Sequence, residues 1–403
     1  MFDIEKVRAD FPILGTEVYD KALVYFDNAA TTHKPRRVLD AVEDFYLTKN
    51  SNIHRGVHRL SEEASAAYED ARTRVKDFLN AGEESEVVFT SGTTDSINLV
   101  ASSFGALIDE GDEIITTEME HHSNLVPWQV LCERTGARLK FVPIDDGGNL
   151  MLDELGRLIT DQTRLIAVTC VSNVLGTVNP VRAVIEKAHE RDIPVLLDGA
   201  QAVPHQPIDI KQLNCDFFAF SGHKMYAETG VGVLWAKKKW LDRMPPYRCG
   251  GGMIESTTLN GTTFLDPPLK FEAGTGHLCG VISLKAAIDY IADVGFTGIA
   301  THEQRVYDCA REGLKGINGV NVYGNAPETC GAISFNLNGM HHYDVGQMLD
   351  KLGVAVRTGK HCAEPLVTRL GAKGTVRASF AMYNTTAEVE IFLEGVRRVQ
   401  KLA

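Results

Sequence analysis

Residues 217–224 read Phe-Phe-Ala-Phe-Ser-Gly-His-Lys, an apolar run that ends directly in polar residues. Similar apolar runs, rich in β-branched residues, recur between residues 86 and 235 and alternate with stretches of helical periodicity. This alternation is typical of βα units, so we predict an α/β fold with a mainly parallel sheet flanked by helices. The predicted strands are 86–90, 113–117, 138–142, 165–171, 195–198, 217–220 and 231–235.

The pattern changes after about residue 286, where helical stretches enclose short apolar runs at 332–337 and 354–357. This spacing indicates a smaller α+β domain, and Thr385 with Glu388 predicts a capping box for its last helix. We therefore divide the chain into three parts. These are an N-terminal segment, 1–20, packing with the small domain, a large domain, 21–285, and a small C-terminal domain, 286–403.

Two other segments carry local signals. Ser61, followed by Glu62 and Glu63, is predicted to cap a helix with one apolar face. The stretch 245–268, rich in Gly and Pro, is predicted to be a long irregular loop.

Composition argues against several classes of function. The 403 residues include 41 Lys and Arg against 53 Asp and Glu, and a net charge of −12 disfavours non-specific binding to nucleic acid or anionic membrane. The N-terminus lacks the apolar stretch of a signal peptide, and no run is long enough to span a bilayer. The eight cysteines contain no Cys-x-x-Cys pair, which disfavours a structural zinc site. We expect a cytoplasmic protein with reduced thiols and no metal.

Ligands of open α/β sheets bind at the carboxyl ends of the strands, so the polar residues after each predicted strand are the first candidates. After the first strand, Thr93 and Thr94 open a helix in an arrangement that can hold a phosphate. A plain helix cap is equally compatible with this motif. After the next strand comes His121, which can stack on a flat cofactor or form a hydrogen bond within its loop. Its neighbour His122 is expected to pack rather than to join it in binding a metal.

Two further strands end in charged residues. Asp198 follows a strand and can face the pyridine nitrogen of a cofactor, although capping the next helix is the simpler role in isolation. Lys224 follows the strand quoted above and would be partly desolvated, which lowers its pKa and favours Schiff-base chemistry. A lone lysine there is usually solvated, but Ser221 and His223 beside it can both reach a phosphate.

The C-terminal part contributes a cysteine and an arginine. Cys362 lies on a Gly-containing segment beside potential cations, which favour a thiolate. Arg377 is the kind of forked donor that binds an α-carboxylate through two contacts. Taken separately, they could be a buried thiol and a surface ion pair. Together they suit an amino-acid substrate that faces a sulfur nucleophile.

With these residues identified, the sequence resembles the SUF-type (group II) cysteine desulfurases and selenocysteine lyases. These enzymes form part of the class V aminotransferase family and have the type I fold of pyridoxal-phosphate enzymes. The resemblance covers nearly the whole chain, and the lysine and cysteine motifs together are its most specific part. Its motifs are Asp27-Asn-Ala-Ala30, His54-Arg-Gly56, Glu120-His-His122, Ser172-Asn-Val-Leu-Gly176, Asp198-Gly-Ala-Gln201, Ser221-Gly-His-Lys224, Phe271-Glu-Ala-Gly-Thr275, Arg357-Thr-Gly-x-His-Cys-Ala363, Arg377-Ala-Ser379 and Met382-Tyr-Asn384.

The resemblance implies roles for individual residues around pyridoxal 5′-phosphate. It implies a Schiff base at Lys224 and a homodimer in which the partner subunit lends a residue to each site. Around the cofactor, it implies His121 on the ring face, Asp198 on the pyridine nitrogen and Gln201 on O3′. The phosphate would be held by Thr93, Thr94, Ser221 and His223, and by Thr275 of the partner subunit. Asn173 and Arg377 would hold the substrate carboxylate, with Asn173 also near the cofactor, and Arg357 would order the cysteine segment.

The implied activity is the conversion of L-cysteine to L-alanine, with sulfur passed to Cys362 as a persulfide. A small sulfur-acceptor protein of the SUF type would then take the sulfur for iron–sulfur cluster assembly. A selenocysteine lyase acting on L-selenocysteine and a class V transaminase remain alternatives, and a non-catalytic scaffold is a third. The sequence departs from the family pattern at Lys360, at residues 227–228 and at residues 276–279.

Overall fold

The computed structural model describes residues 2–402 and contains one large sheet at its centre. Its seven strands, in chain order, are β1 (Val87–Thr90), β2 (Glu113–Thr117), β3 (Arg138–Val142), β4 (Thr163–Thr169), β5 (Val195–Asp198), β6 (Phe217–Ser221) and β7 (Gly232–Ala236). They lie in the order β1-β7-β6-β5-β4-β2-β3. Only β7 runs against its neighbours, so the prediction of a mainly parallel sheet is confirmed.

Both faces of this sheet are covered, which explains why its strands are nearly continuous apolar runs. In β6, Phe217 and Ala219 pack into one core, whereas Phe218 and Phe220 pack into the other. This alternation follows from the two-residue repeat of a strand. Within the parallel part of the sheet, Asp198 pairs in register with Ala219, so the carboxyl ends of β5 and β6 open at the same edge.

A second, antiparallel sheet comes from the C-terminal part of the chain. Its strands are β8 (Val320–Val322), β9 (Ala332–Leu337), β10 (Arg357–Gly359) and β11 (Thr375–Ser379), in the order β8-β9-β11-β10. The predicted strand 354–357 is split, because residues Val354–Ala355 pair instead with Val24–Tyr25. That parallel pair brings the N-terminal part of the chain against the strand that leads to Cys362.

Helices flank both sheets. They span Ile4–Ala9, Arg36–Thr48, Arg59–Phe78, Thr93–Ser103, Val126–Thr135, Leu152–Leu158, Val181–His189, Ile210–Leu213, Lys238–Arg243, Leu278–Val294, Phe296–Lys315, His342–Lys351, Glu364–Arg369 and Thr386–Gln400. Thr385 and Glu388 form the predicted capping box of the last helix. None of the described helices is both long and apolar enough to cross a membrane.

Two local predictions were wrong. The helix Arg59–Phe78 is capped by His58, whereas Ser61 lies in its first turn and donates to the carbonyl of Asn52. The predicted loop 245–268 contains a β-hairpin, Ile254–Thr258 and Gly261–Phe264, whose side chains are largely exposed.

The division into three parts remains a prediction. Val7, in the N-terminal helix, packs into the core around the large sheet, while Arg8 forms an ion pair with Glu388 in the last helix. The helix Leu278–Val294 runs across the predicted boundary at residue 285.

Candidate active site

A cavity of about 400 Å³ opens where the carboxyl ends of the large sheet meet the segment that carries Cys362. Thr275 lies outside it, exposed, in a separate groove together with Arg55 and Gly252. The other predicted site residues all line this cavity: Thr93, Thr94, His121, Asn173, Asp198, Gln201, Ser221, His223, Lys224, Arg357, Cys362 and Arg377.

One end of the cavity is built to receive an anion. The helix Thr93–Ser103 begins after Gly92, whose φ of +144° is a conformation that few L side chains adopt. The backbone N–H of Thr93 donates to Ser221 Oγ over 2.8 Å, and the two hydroxyls of Thr93 and Ser221 are 2.7 Å apart. A helix N-terminus next to two hydroxyls attracts a phosphate, because its free N–H groups carry partial positive charge.

Lys224 reaches the cavity from a single turn of 3-10 helix, Gly222–Lys224, directly after β6. The carbonyl of His223 accepts hydrogen bonds from the Thr32 N–H (3.0 Å) and from the hydroxyls of Thr31 (3.2 Å) and Thr32 (3.1 Å). This fixes the residue before the lysine. Burial lowers the pKa of Lys224, although the nearby Asp198 carboxylate opposes the shift. A lysine amine that loses its proton readily is suited to attack a carbonyl carbon.

Asp198 is buried at the end of β5, and burial raises its pKa while Lys224 acts against that rise. Oδ1 accepts a hydrogen bond from the Ala200 N–H over 2.9 Å, so the carboxylate does cap the following turn. Oδ2 forms no hydrogen bond with any residue that the structure describes. A buried carboxylate with one uncommitted oxygen fits a protonated pyridine nitrogen. Gln201, next to it, donates to the Ala29 carbonyl over 2.8 Å.

The ring of His121 is held in its neutral form. Its Nδ1 accepts a hydrogen bond from the Ser123 N–H over 3.1 Å, so this nitrogen carries a lone pair. Burial lowers the pKa of His121 to about 3, and the positive charge of Lys224 adds to the shift. A fixed, uncharged imidazole ring can stack on the face of an aromatic cofactor. Within the described part of the chain, no group of three or more His, Cys, Asp or Glu side chains is arranged to hold a metal.

The segment 360–364, called the cysteine loop below, carries Cys362 to the cavity. His361 and Cys362 have φ values of +53° and +54°, which cost on the order of 1–3 kcal/mol each for residues other than glycine. The Asn173 side chain donates to the His361 carbonyl over 2.7 Å. The buried His361 ring lies 2.8 Å from the Thr375 hydroxyl, and its Nδ1 has no partner among the described residues. Lys360 forms an ion pair with Glu364, so its charge is compensated within the loop.

A network around Asp27 holds the two arginines. Arg377 is fully buried, donates to the Asn173 carbonyl over 2.9 Å and lies 3.2 Å from Asp27 Oδ1. Arg357 pairs with Asp27 Oδ2 at 2.9 Å. The Nε of Arg377 is buried without a partner among the described residues, which leaves a donor for a carboxylate in the cavity.

Three residues of the site were missed as individual candidates, namely Asp27, His122 and His361. All three stand in the motifs of the resemblance, yet none has a local pattern that indicates its partner. Glu120 is a fourth such group: it is buried, its Oε1 accepts a hydrogen bond from the N–H of Thr169, which lines the cavity, and burial raises its pKa to about 8.

The residues that line the cavity fit pyridoxal 5′-phosphate. A helix N-terminus with two hydroxyls matches its phosphate, a buried lysine its aldehyde, and a buried carboxylate its ring nitrogen. These groups come from different strands of one sheet edge, where they lie within a single cavity.

Comparisons with known proteins show the family to which the chain belongs. The sequence profile of the family described as "Aminotransferase class-V" matches residues 24–392. A cysteine desulfurase of Klebsiella pneumoniae (strain 342) is 49% identical over 403 residues, which cover 100% of this chain and 99% of that protein. The probable cysteine desulfurase 1 of Mycobacterium leprae is 47% identical over 400 residues, covering 99% and 66%.

Two solved structures are also similar. The cysteine desulfurase CsdA (S-sulfonic acid) from Escherichia coli superposes with a TM-score of 0.93 at 37% identity, covering 100% of this chain and 99% of that one. The apo cysteine desulfurase from Thermococcus onnurineus NA1 gives a TM-score of 0.94 at 40% identity, covering 99% and 98%.

Proposed function

The chain belongs to the aminotransferase class-V family and is a pyridoxal-phosphate-dependent enzyme, and from this premise we propose that it is a cysteine desulfurase. It would convert L-cysteine to L-alanine and keep the sulfur on Cys362 as a persulfide. The observation that carries the proposal is that Cys362, from the C-terminal part, lines the same cavity as Lys224 and Arg377.

We assign the binding roles as the sequence predicts them. Arg377 and Asn173 orient the substrate carboxylate, and Arg357 helps to order the cysteine loop. His121 covers the cofactor ring, and Asp198 and Gln201 hold its polar edge. Thr93, Thr94, Ser221 and His223 hold the phosphate, to which Thr275 of a second subunit would also contribute in a homodimer.

The reacting groups of the chain have complementary tasks. The bound cofactor supplies an electron sink that weakens the bonds around the substrate α-carbon. Lys224, whose amine is readily deprotonated, moves a proton at that carbon. The Cys362 thiolate attacks the substrate sulfur, so that an S–S bond forms and the C–S bond breaks. The electrons of the C–S bond stay on carbon, which takes up a proton, and the products are alanine and one persulfide.

We further propose that a small sulfur-acceptor protein, of the SUF type, collects the sulfur in the cytoplasm for iron–sulfur cluster assembly. The exposure of Cys362 supports this, because a second thiol must reach the persulfide to remove its outer sulfur. The assignment to the SUF-type subgroup belongs to the same proposal.

The test is to incubate the purified holoenzyme with L-cysteine, quantify alanine and map the persulfide by mass spectrometry. Cys362→Ser should abolish alanine formation and keep the visible absorption of the bound cofactor, whereas Lys224→Ala should alter both. Cys309→Ser is the matched control and should behave as the wild type. Cys309 lies on the helix Phe296–Lys315, where its thiol contacts Glu390 of the last helix. Alanine formation by Cys362→Ser would refute the persulfide, and amino transfer to a keto acid would indicate a transaminase. Activity of that variant on L-selenocysteine alone would indicate a lyase.

A further inference from the structure

We propose that His122 is a positioning residue: it holds the cysteine loop against the cavity and thereby determines the rate of sulfur transfer to Cys362. The inference deepens the proposed function, because it rests on the role given to Cys362. It concerns a histidine that the sequence predicts only to pack beside His121.

His122 contacts the cysteine loop twice. Its backbone N–H donates to the carbonyl of Cys362 over 2.7 Å. Its ring Nε2 lies 3.1 Å from the N–H of Glu364. The two contacts bracket residues 362–364, so one residue holds the loop on both sides of Ala363.

The chemistry of the ring contact is determined by its donor. A backbone N–H can only donate, so His122 Nε2 must be the acceptor and carry the lone pair. Glu364 is the first residue of the helix Glu364–Arg369, where the N–H groups have no partner within the helix. The imidazole therefore satisfies a donor that the helix itself cannot satisfy.

The loop needs such support because two consecutive residues, His361 and Cys362, have left-handed backbones. Asn173 and Thr375 fix His361, which precedes the cysteine. Apart from bonds within the helix that follows, such as the Val367 N–H to the Ala363 carbonyl, the hydrogen bonds between residues 362–364 and other described parts of the chain come from His122. Without the ring contact, the C-terminal side of the loop is free to relax toward an ordinary backbone conformation.

The position of His122 in the chain links the cysteine loop to the cofactor end of the cavity. It directly follows His121, whose neutral ring lines the cavity. The dipeptide therefore joins the residue that covers the cofactor to the loop that carries the sulfur acceptor. Arg377 and Asn173, which we assign to the substrate carboxylate, form no hydrogen bond with His122, so loss of the His122 ring should affect the transfer step more than substrate binding.

The experiment compares three variants of the holoenzyme. His122→Leu removes the acceptor and retains bulk, His122→Gln provides an oxygen that can reach the Glu364 N–H, and His122→Asn provides one that is too short. His341→Leu is the matched control. His341 Nδ1 also accepts a backbone N–H at a helix start, from Tyr343, but His341 does not line the cavity.

We expect His122→Leu and His122→Asn to lower kcat for alanine roughly tenfold, the effect of about one lost hydrogen bond, with KM and cofactor absorption nearly unchanged. His122→Gln should recover most of kcat. Hydrogen exchange should accelerate in residues 360–365 of the Leu and Asn variants. His341→Leu should leave all three readouts at wild-type values.

Two outcomes would overturn the inference: wild-type kcat and exchange in His122→Leu, or equal losses in the Gln and Asn variants. If His122→Leu fails to retain cofactor, the Gln and Asn pair decides alone. Failure of the proposed function is distinguishable, since it would appear as alanine formation by Cys362→Ser with the His122 residue intact.

Discussion

Asp27→Asn should destabilise the enzyme and make it depend on a bound carboxylate. Asp27 is the shared counter-ion of Arg357 and Arg377 and is placed between them by the pairing of Val24–Tyr25 with Val354–Ala355. Arg377 is fully buried and cannot replace the lost partner with water. Removing one partner of a buried ion pair typically costs about 3–5 kcal/mol. Arg357 is half exposed, so its share is under about 1 kcal/mol.

We therefore expect Asp27→Asn to lose about 3 kcal/mol of unfolding free energy in a urea titration. L-alanine, which carries the carboxylate of the product, should raise the midpoint of the variant more than that of the wild type, because it supplies the missing negative charge. Asp293→Asn, which breaks the exposed pair with Arg37, is the matched control and should cost less than about 1 kcal/mol. A loss no greater than that of the control, or equal stabilisation of both proteins by alanine, would contradict the role given to Asp27.

Two further predictions concern the cofactor end of the cavity. Gly92→Ala places a methyl group 3.2 Å from Ser221 Oγ at a φ of +144°. The affinity for pyridoxal phosphate, measured by spectroscopic titration, should therefore fall about tenfold. Gly111→Ala is the control: its φ is +85° with open space around it, and it should leave that affinity unchanged. The pKa of His121 in the folded protein, about 3, lies below its ordinary value of 6.5, so the unfolded chain binds more protons between these pH values and stability falls as the pH falls through them. His121→Phe should therefore show a smaller drop in urea midpoint than the wild type between about pH 7 and about pH 5, and an equal drop would refute the neutral ring.

Much of the large sheet was predictable because each strand carries its own signal. The strands Glu113–Thr117, Arg138–Val142 and Val195–Asp198 have the predicted bounds. Arg138–Val142 is partly exposed and Val195–Asp198 is buried, yet turn residues end the apolar or β-branched run of both strands. The candidates at the cofactor end of the cavity, such as Asp198 and Lys224, were found for the same reason, since they lie at or just after the carboxyl end of a strand of the large sheet.

Other features were not predictable from local signals. The cap at His58 replaces the expected Ser61 because the serine hydroxyl is used in a contact with Asn52, nine residues away. The strand 354–357 divides because its first half finds a partner more than 300 positions earlier in the chain, at Val24–Tyr25. Neither contact leaves a pattern in the residues next to it.

The same distinction separates the two halves of the site. The groups around the cofactor come from one sheet edge, so the order of strands alone brings Asp198 and Lys224 together. The groups around the substrate depend on contacts between distant segments, in which Asp27 holds Arg377 and His122 holds the cysteine loop. A change in these supporting residues should therefore alter sulfur transfer while leaving the cofactor bound. Transplanting the loop 360–364 alone into another enzyme of this fold should fail to transfer the activity unless Asp27, His122 and Asn173 accompany it.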